Sequence, residues 1–381
     1  MRTQYLKRIF FLGFLFSFHL ALTAYVNSTF LGTLISEKYI GFVYAASSLI
    51  TLLVLSSLSS LIAKIGNKTA TTLFLIGNIG AISAFVFSQN VYILIPAFVL
   101  FLITNTLVFY CFDIFIEHWS IQEETGKARG LYLTTINLAW MLSPLITGTL
   151  VENYGYKGMY TLAGILGIFV LILLPFFIRH FKDPKYQKIS LGKARERLAS
   201  NPRIAKIVVI NFLLQFFFAL MIIYTPLYLH DHLGFDWKHL GIIFTIMLSP
   251  FVFLGFPLGK FADKYGYEKQ SIIVGFLCIA LATGIMAYTH SVTMLFWAIL
   301  LLASRVGASI VETMSEVYFF KHVSEKDTDL LSIFRDMSPL AFLIAPLVGS
   351  FIITTSTYTV LFGGIALVML IGAYVTYTLK K

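Results

Sequence analysis

The chain has 381 residues, 58% of them hydrophobic and 12% charged, with a net charge of +10 and a mean hydropathy of +0.84. A water-soluble domain carries about 25% charged residues to cover its surface, so this composition excludes one and places much of the surface in lipid. The excess of Lys and Arg is gathered in loops, as on the cytoplasmic face of a membrane protein, and gives no ground for a nucleic-acid partner.

A helix crosses the hydrocarbon core in about 20 apolar residues. Windows of that length fall near 9–32, 40–63, 69–88, 91–113, 131–152 and 159–179, then near 204–229, 239–262, 270–289, 292–316, 333–355 and 357–378. Helices are expected because lipid offers no partner to a backbone amide. These long continuous runs lack the alternation of barrel strands. Arg2, Lys7 and Arg8 precede the first run as they would in a signal peptide, but with eleven runs behind it a retained span is the better reading. With the N-terminus placed inside, alternating inner segments hold 24 of the 28 Lys and Arg, the outer loops three, and one (Arg305) lies within a span. Both termini are therefore expected on the cytoplasmic side of a multi-pass protein in the cell membrane. Cys111 and Cys278 lie inside apolar runs and suggest no disulfide framework.

Taken in chain order, span one carries His19 and Asn27, polar groups deep in an apolar run. His19 can titrate near neutral pH or serve as hydrogen-bonded packing. After span two comes Ser59-Ser-Leu-Ile-Ala63-Lys64-Ile-Gly66-Asn-Lys68. Span four ends on Asp113 and Glu117, one turn apart. They form either a boundary charge cluster with Lys127 or Arg129, or a proton relay. Span five opens at Arg129-Gly130 and contains Ser143-Pro144-Leu-Ile-Thr-Gly148.

The halves are joined by a basic connection, 181–203, with a short helix expected around Leu191–Ala199. It reads as a solvated linker on anionic headgroups or as a regulatory segment. Span seven carries Asn211, Gln215 and Tyr224, and Tyr224-Thr-Pro226-Leu-Tyr228 reads as a break near its outer end. The following His230-Asp231-His232, with Asp236 and His239, has metal-ligand residue types without ligand spacing. No metal is expected.

Span ten is the most informative. It places Arg305 near the bilayer middle, Glu312 seven residues on and Glu316 four beyond. Seven residues turn a helix about 700°, so these side chains share one stripe. An ionisable group inside a span is costly and marks a functional site by default. Arg305 reads either as a contact for an anionic substrate group that also tunes a proton-accepting Glu312, or as half of a buried structural ion pair.

The halves repeat at an offset of about 200 residues, as transporter halves do. Gly41 answers Gly241, Gly66 answers Gly266, and SPLITG around Pro144 answers APLVGS around Pro346. The loop after span eight reads Gly259-Lys-Phe-Ala-Asp263-Lys264-Tyr-Gly266-Tyr-Glu268-Lys269. It resembles the signature loop of the major facilitator superfamily, G-x-x-x-D-[RK]-x-G-x-[RK]-[RK]. Glu268 departs from the pattern, and in the first copy Ala63 replaces the acid. The resemblance spans the whole chain and implies an all-α integral membrane fold of twelve transmembrane helices in two pseudo-repeated six-helix halves, 1–180 and 204–381. It implies a secondary transporter in which Asp263 meets the start of span five, Arg129-Gly130, when the inner side closes. Pro144 also lies in a stretch that resembles, without its double glycine, the glycine-and-proline motif of drug antiporters.

The expected function is transport of a small solute by alternating access, coupled to protons, in a monomer that needs no cofactor. A transporter-like receptor or scaffold is the alternative. No P-loop, nucleophile elbow or thiol cluster supports an ATP-driven pump or an enzyme.

Overall fold

The computed structural model describes residues 2–119, 125–184, 196, 198–289, 293–323 and 328–379. Among them every regular element is helical. In chain order these are α1 (Arg2–Ala24), α2 (Ile40–Ile65), α3 (Asn67–Phe87) and α4 (Val91–Trp119). A continuous stretch, Thr125–Phe177, follows, broken at Gly155 (φ 65°, ψ −175°) into α5 (125–154) and α6 (156–177). Then come α7 (Pro202–Leu227), α8 (Trp237–Phe253, continued by Gly255–Tyr265), α9 (Glu268–Tyr288), α10 (Met294–His322), α11 (Thr328–Thr355) and α12 (Tyr358–Tyr377). Eleven described stretches are long and apolar enough to span a membrane, and the 47-residue Leu131–Phe177 counts as one although Gly155 divides it. Dividing it gives the twelve helices expected.

The boundaries differ from expectation where polar residues extend a helix beyond the apolar window. α4 runs on to Trp119 and α10 to His322, because a helix can leave the hydrocarbon region without losing its backbone bonds. α1 starts earlier and stops at Ala24, and Asn27–Gly32 forms a separate short helix. The break expected at Pro226 does not occur. α7 passes through it and ends in a π-helical turn, Tyr228–His232. The helix expected around Leu191–Ala199 lies mostly outside the described residues.

The two glycines that punctuate the repeat do the same work in each copy. Gly66 and Gly266 end α2 and α8 with positive φ, 82° and 64°, a backbone conformation in which a Cβ is strained.

The chain forms two compact units. The first comprises Met1–Leu34, Ala46–Lys188 and Asp236–Gly241. In it α1 packs along the 125–177 segment and α3 along α4. An aromatic core of Tyr5, Phe16, Phe112, Phe115 and Trp119 closes one end. The second comprises Ile35–Ala45, Ile189–Phe235 and Ile242–Lys381. There α9 lies against both α10 and α12, and α11 against α7. Large apolar side chains such as Leu281, Leu295, Phe351 and Leu367 stay exposed, as befits surfaces that face acyl chains rather than water.

Candidate functional site

In the second unit the candidate residues centre on α10. Arg305 is 1% exposed, and its guanidinium carbon stands 4.9 Å from the ring centroid of Phe217 and 5.5 Å from that of Phe218 on α7. Aromatic faces attract a cation and do so more strongly when water is excluded. Glu312 and Glu316 are half-buried on the same helix. Glu312 has Glu316 and Arg305 as its electrostatic neighbours, and its carboxylate makes no hydrogen bond among the described residues. Arg305 and Glu312 are about 10 Å apart along the axis, far enough to leave room between them.

The α7 candidates divide. Asn211 donates to Phe334 O at 2.7 Å. Tyr224 is wholly buried, donates to Pro346 O at 2.9 Å and lies 3.2 Å from Ser350 Oγ. Both tie α7 to α11 and are committed to packing. Gln215 is half-buried and makes no hydrogen bond among the described residues.

The signature loop joins the end of α8 to the start of α9. Gly259 is half-buried, Gly266 caps the helix that ends at Tyr265, with its amide 3.0 Å from Ala262 O, and Asp263 and Lys264 are exposed. The Lys264 ammonium lies 4.9 Å from the Tyr265 ring. Lys269 donates to Leu379 O at 2.6 Å, binding the end of the chain to the start of α9. Glu268, the residue that departs from the family pattern, is buried and paired with Lys321 of α10, which also donates to Ala262 O at 3.3 Å. A basic group absent from position 268 is thus set beside it by the neighbouring helix.

In the first unit His19 is fully buried, with Nδ1 2.6 Å from Ala163 O and Nε2 2.9 Å from Asn78 Oδ1. Asn78 in turn reaches Thr104 Oγ1 at 3.0 Å and Asn105 Oδ1 at 2.7 Å. The network stitches α1, α3, α4 and α6 together, and of the two expectations for His19 the geometry favours packing. Asn27 accepts from Tyr160 OH at 2.9 Å. Asp113 is half-buried beside Tyr132 of α5, while Glu117 is exposed. Arg129 and Gly130 are helical, but their side-chain surroundings lie outside the described residues.

Repeat-related residues make reciprocal close crossings. In the second unit Gly41 of α2 lies against Pro346 of α11, and its amide donates to Ser350 Oγ at 3.0 Å. In the first, Gly241 of α8 lies against α5, where an added methyl would stand 2.6 Å from Pro144 O. Gly148 faces the same crossing, which Glu152 pins by accepting the Trp237 amide at 3.0 Å. Two groups that the sequence reading passed over stand out: the Asn78–Asn105 network, and Glu37, which meets His232 and Tyr358.

The sequence profile of the Major Facilitator Superfamily matches residues 9–330 and 240–381. The chain belongs to that superfamily, whose members are membrane transport proteins, and its fold is that of a secondary transporter for a small molecule. Among solved structures it is similar to the nucleoside transporter NupG, at 12% identity and a TM-score of 0.79, covering 98% of each chain. It is also similar to a bacterial homolog of the human lysosomal transporter Spinster (14% identity, TM-score 0.71, 99% of this chain and 94% of that one). A third is an auto-inhibited peptide transporter of the POT family (11% identity, TM-score 0.75, 98% and 96%). No curated protein matches the sequence.

Proposed function

We propose that the protein carries a small polar solute across the cell membrane by alternating access, coupled to protons. The halves 1–180 and 204–381 rock about a central site, with both termini and the 181–203 linker on the cytoplasmic side and the linker resting on anionic headgroups. The observation that carries the reading is the α10 stripe: a guanidinium buried among phenylalanines, with, on the same helix, a carboxylate that makes no hydrogen bond among the described residues. Keeping an ionised group at such a depth is expensive, and a site that binds charge is the reason to keep it. Arg305 receives an anionic or strongly polar group of the solute, Gln215 hydrogen-bonds it, and Glu312, with Glu316 beside it, takes and releases the coupling proton. Nucleosides and peptides, the solutes of two proteins of similar fold, are the first to try.

Asp263 is the inner-gate residue, meeting the start of α5 near Arg129 and Gly130 when the cytoplasmic side closes. The test is uptake into proteoliposomes with an alkaline interior, using labelled nucleosides, dipeptides and monocarboxylates. The wild-type protein accumulates one class against its gradient. Glu312→Gln still binds and exchanges that solute but does not accumulate it. Accumulation by Glu312→Gln equal to wild type removes Glu312 from coupling.

A further inference from the structure

The amino end of α7 borders a cavity of about 370 Å³ lined by Asn201, Pro202, Arg203 and Lys206. All four residues lie in the second unit. Asn201 caps the helix by accepting the Ile204 amide at 3.3 Å, and Pro202 sets its first turn. A helix amino end carries partial positive charge. Arg203 and Lys206, one turn apart, add full charges on one face. Lys206 donates to Thr378 O at 2.6 Å, which leaves its ammonium with further N–H donors. Arg203 is exposed and makes no ion pair or hydrogen bond among the described residues.

A basic cleft alone describes many protein surfaces. Tyr318 of α10 sets this one apart. It is 8% exposed, and its hydroxyl finds no hydrogen-bond partner among the described residues. Arg203 and Glu268 are the charged groups that act on it, and Glu268 is itself paired with Lys321. Arg203 thus links the hydroxyl to the cavity. A buried hydroxyl without a partner is costly, and one beside a guanidinium is suited to an acceptor that bears negative charge.

We propose that the amino end of α7 binds a phosphate oxyanion, held by Arg203 and Lys206 and hydrogen-bonded by Tyr318. Phosphate oxygens answer the two cations and accept from the phenol at the same time. Depth points to the source. The apolar run of α7 begins at Ile204, and Lys206 is tied to Thr378, next to the exposed Tyr374 and Tyr377 of α12. Exposed tyrosines at span ends sit at headgroup level, where the phosphodiester of a phospholipid lies. A lipid phosphate therefore fits better than free phosphate. This site shares no residue with the Arg305 and Glu312 stripe and stands whether or not the protein carries a solute. It differs also from the diffuse attraction of the basic linker to headgroups, which depends on charge and is blind to Tyr318.

The experiment is native mass spectrometry on the delipidated whole protein. It is titrated with phosphatidylglycerol, with diacylglycerol of the same acyl chains, or with inorganic phosphate. Wild-type protein should take up one phosphatidylglycerol more tightly than the next, and show no such step with diacylglycerol. Arg203→Gln should weaken that first step about threefold to fivefold, since the arginine is exposed. Tyr318→Phe changes no charge and should weaken it about threefold to tenfold. Without lipid, Tyr318→Phe should unfold at or above the wild-type midpoint, because it removes an unpaired hydroxyl; a lower midpoint means the hydroxyl already has a protein partner and overturns the site. Inorganic phosphate bound by wild type and lost in Tyr318→Phe, with lipid uptake equal in both, keeps the site and makes its source soluble. A first lipid step and a phosphate affinity that neither variant weakens overturn the proposal. So does a loss confined to Arg203→Gln and erased by salt, which is diffuse attraction only.

Discussion

At the residue scale the chemistry divides into groups committed to other protein atoms and groups that are not. His19, Asn27, Asn211 and Tyr224 each have a partner at 2.6–2.9 Å, while Glu312 and Gln215 keep their polar ends uncommitted to hydrogen bonds among the described residues. The committed set should therefore respond in stability and the uncommitted set in transport. Asn78→Ala strands His19 Nε2 and Asn105 together, and leaving a buried polar group unsatisfied costs about 1–3 kcal/mol. Thermal unfolding of the purified protein should show that loss, and an unchanged midpoint would mean the cluster is not buried as described. Gln215→Ala should leave the same midpoint within about 0.5 kcal/mol and weaken solute binding.

The sequence made Arg305 and Glu312 legible because ionisable residues are conspicuous in an apolar run. Asn78 and Asn105 obey the same rule and were readable, but neutral amides stand out less. Glu37 was not readable at all, since a glutamate in a short turn before a span looks solvated until the fold brings Tyr358 and His232 to it.

At the scale of elements the family loop and the glycine crossings say most. The resemblance rested on the spacing of Gly259, Asp263 and Gly266, and the structure gives Gly266 its positive φ. It could not explain Glu268, because its partner Lys321 lies 53 residues further on. Each single neutral variant, Glu268→Gln or Lys321→Gln, should destabilise the protein, by about 1 kcal/mol or less since the lysine is part exposed. The double charge exchange Glu268→Lys with Lys321→Glu should recover most of it. Failure of the exchange to recover anything would mean the pair is incidental.

Asp236 caps α8, accepting the His239 amide at 2.8 Å and its ring Nδ1–H at 2.7 Å. Slight burial works to raise its pKa, but those hydrogen bonds outweigh it and hold the carboxyl below the usual range. A depressed carboxylate contributes stability above its unfolded value, about 3.9, and loses it as pH falls through the lowered one. Asp236→Ala should cost about 1 kcal/mol at neutral pH and nothing at strongly acid pH, as read from unfolding midpoints at the two conditions.

At the scale of the whole molecule the sequence disclosed the twelve helices, the repeat and the family, because lipid imposes one long apolar run per crossing and leaves little else for a chain to do. It did not disclose how the chain divides into compact units, with Ile35–Ala45 in one and Asp236–Gly241 in the other. Helix ends change partners through tertiary packing, which no local pattern records. Orientation has its own test in exposed positions. Single cysteines at Ser36 and Ser356 should react with an impermeant thiol reagent in intact cells, and those at Lys68 and Ser200 should not; the reverse pattern inverts the topology.

The central claim, that the two halves open alternately to either side, is tested most directly by two distances read on the same protein. One pair of spin labels, Asn90 with Thr357, reports the proposed outer ends, and another, Lys68 with Gln270, the proposed inner ends. Across changes of pH and added solute the two distributions should move in opposite senses, the outer shortening as the inner lengthens. In Asp263→Asn the inner pair should lengthen further while solute binding survives. Two distributions that stay fixed under every condition, or that widen and narrow together, would contradict alternating access.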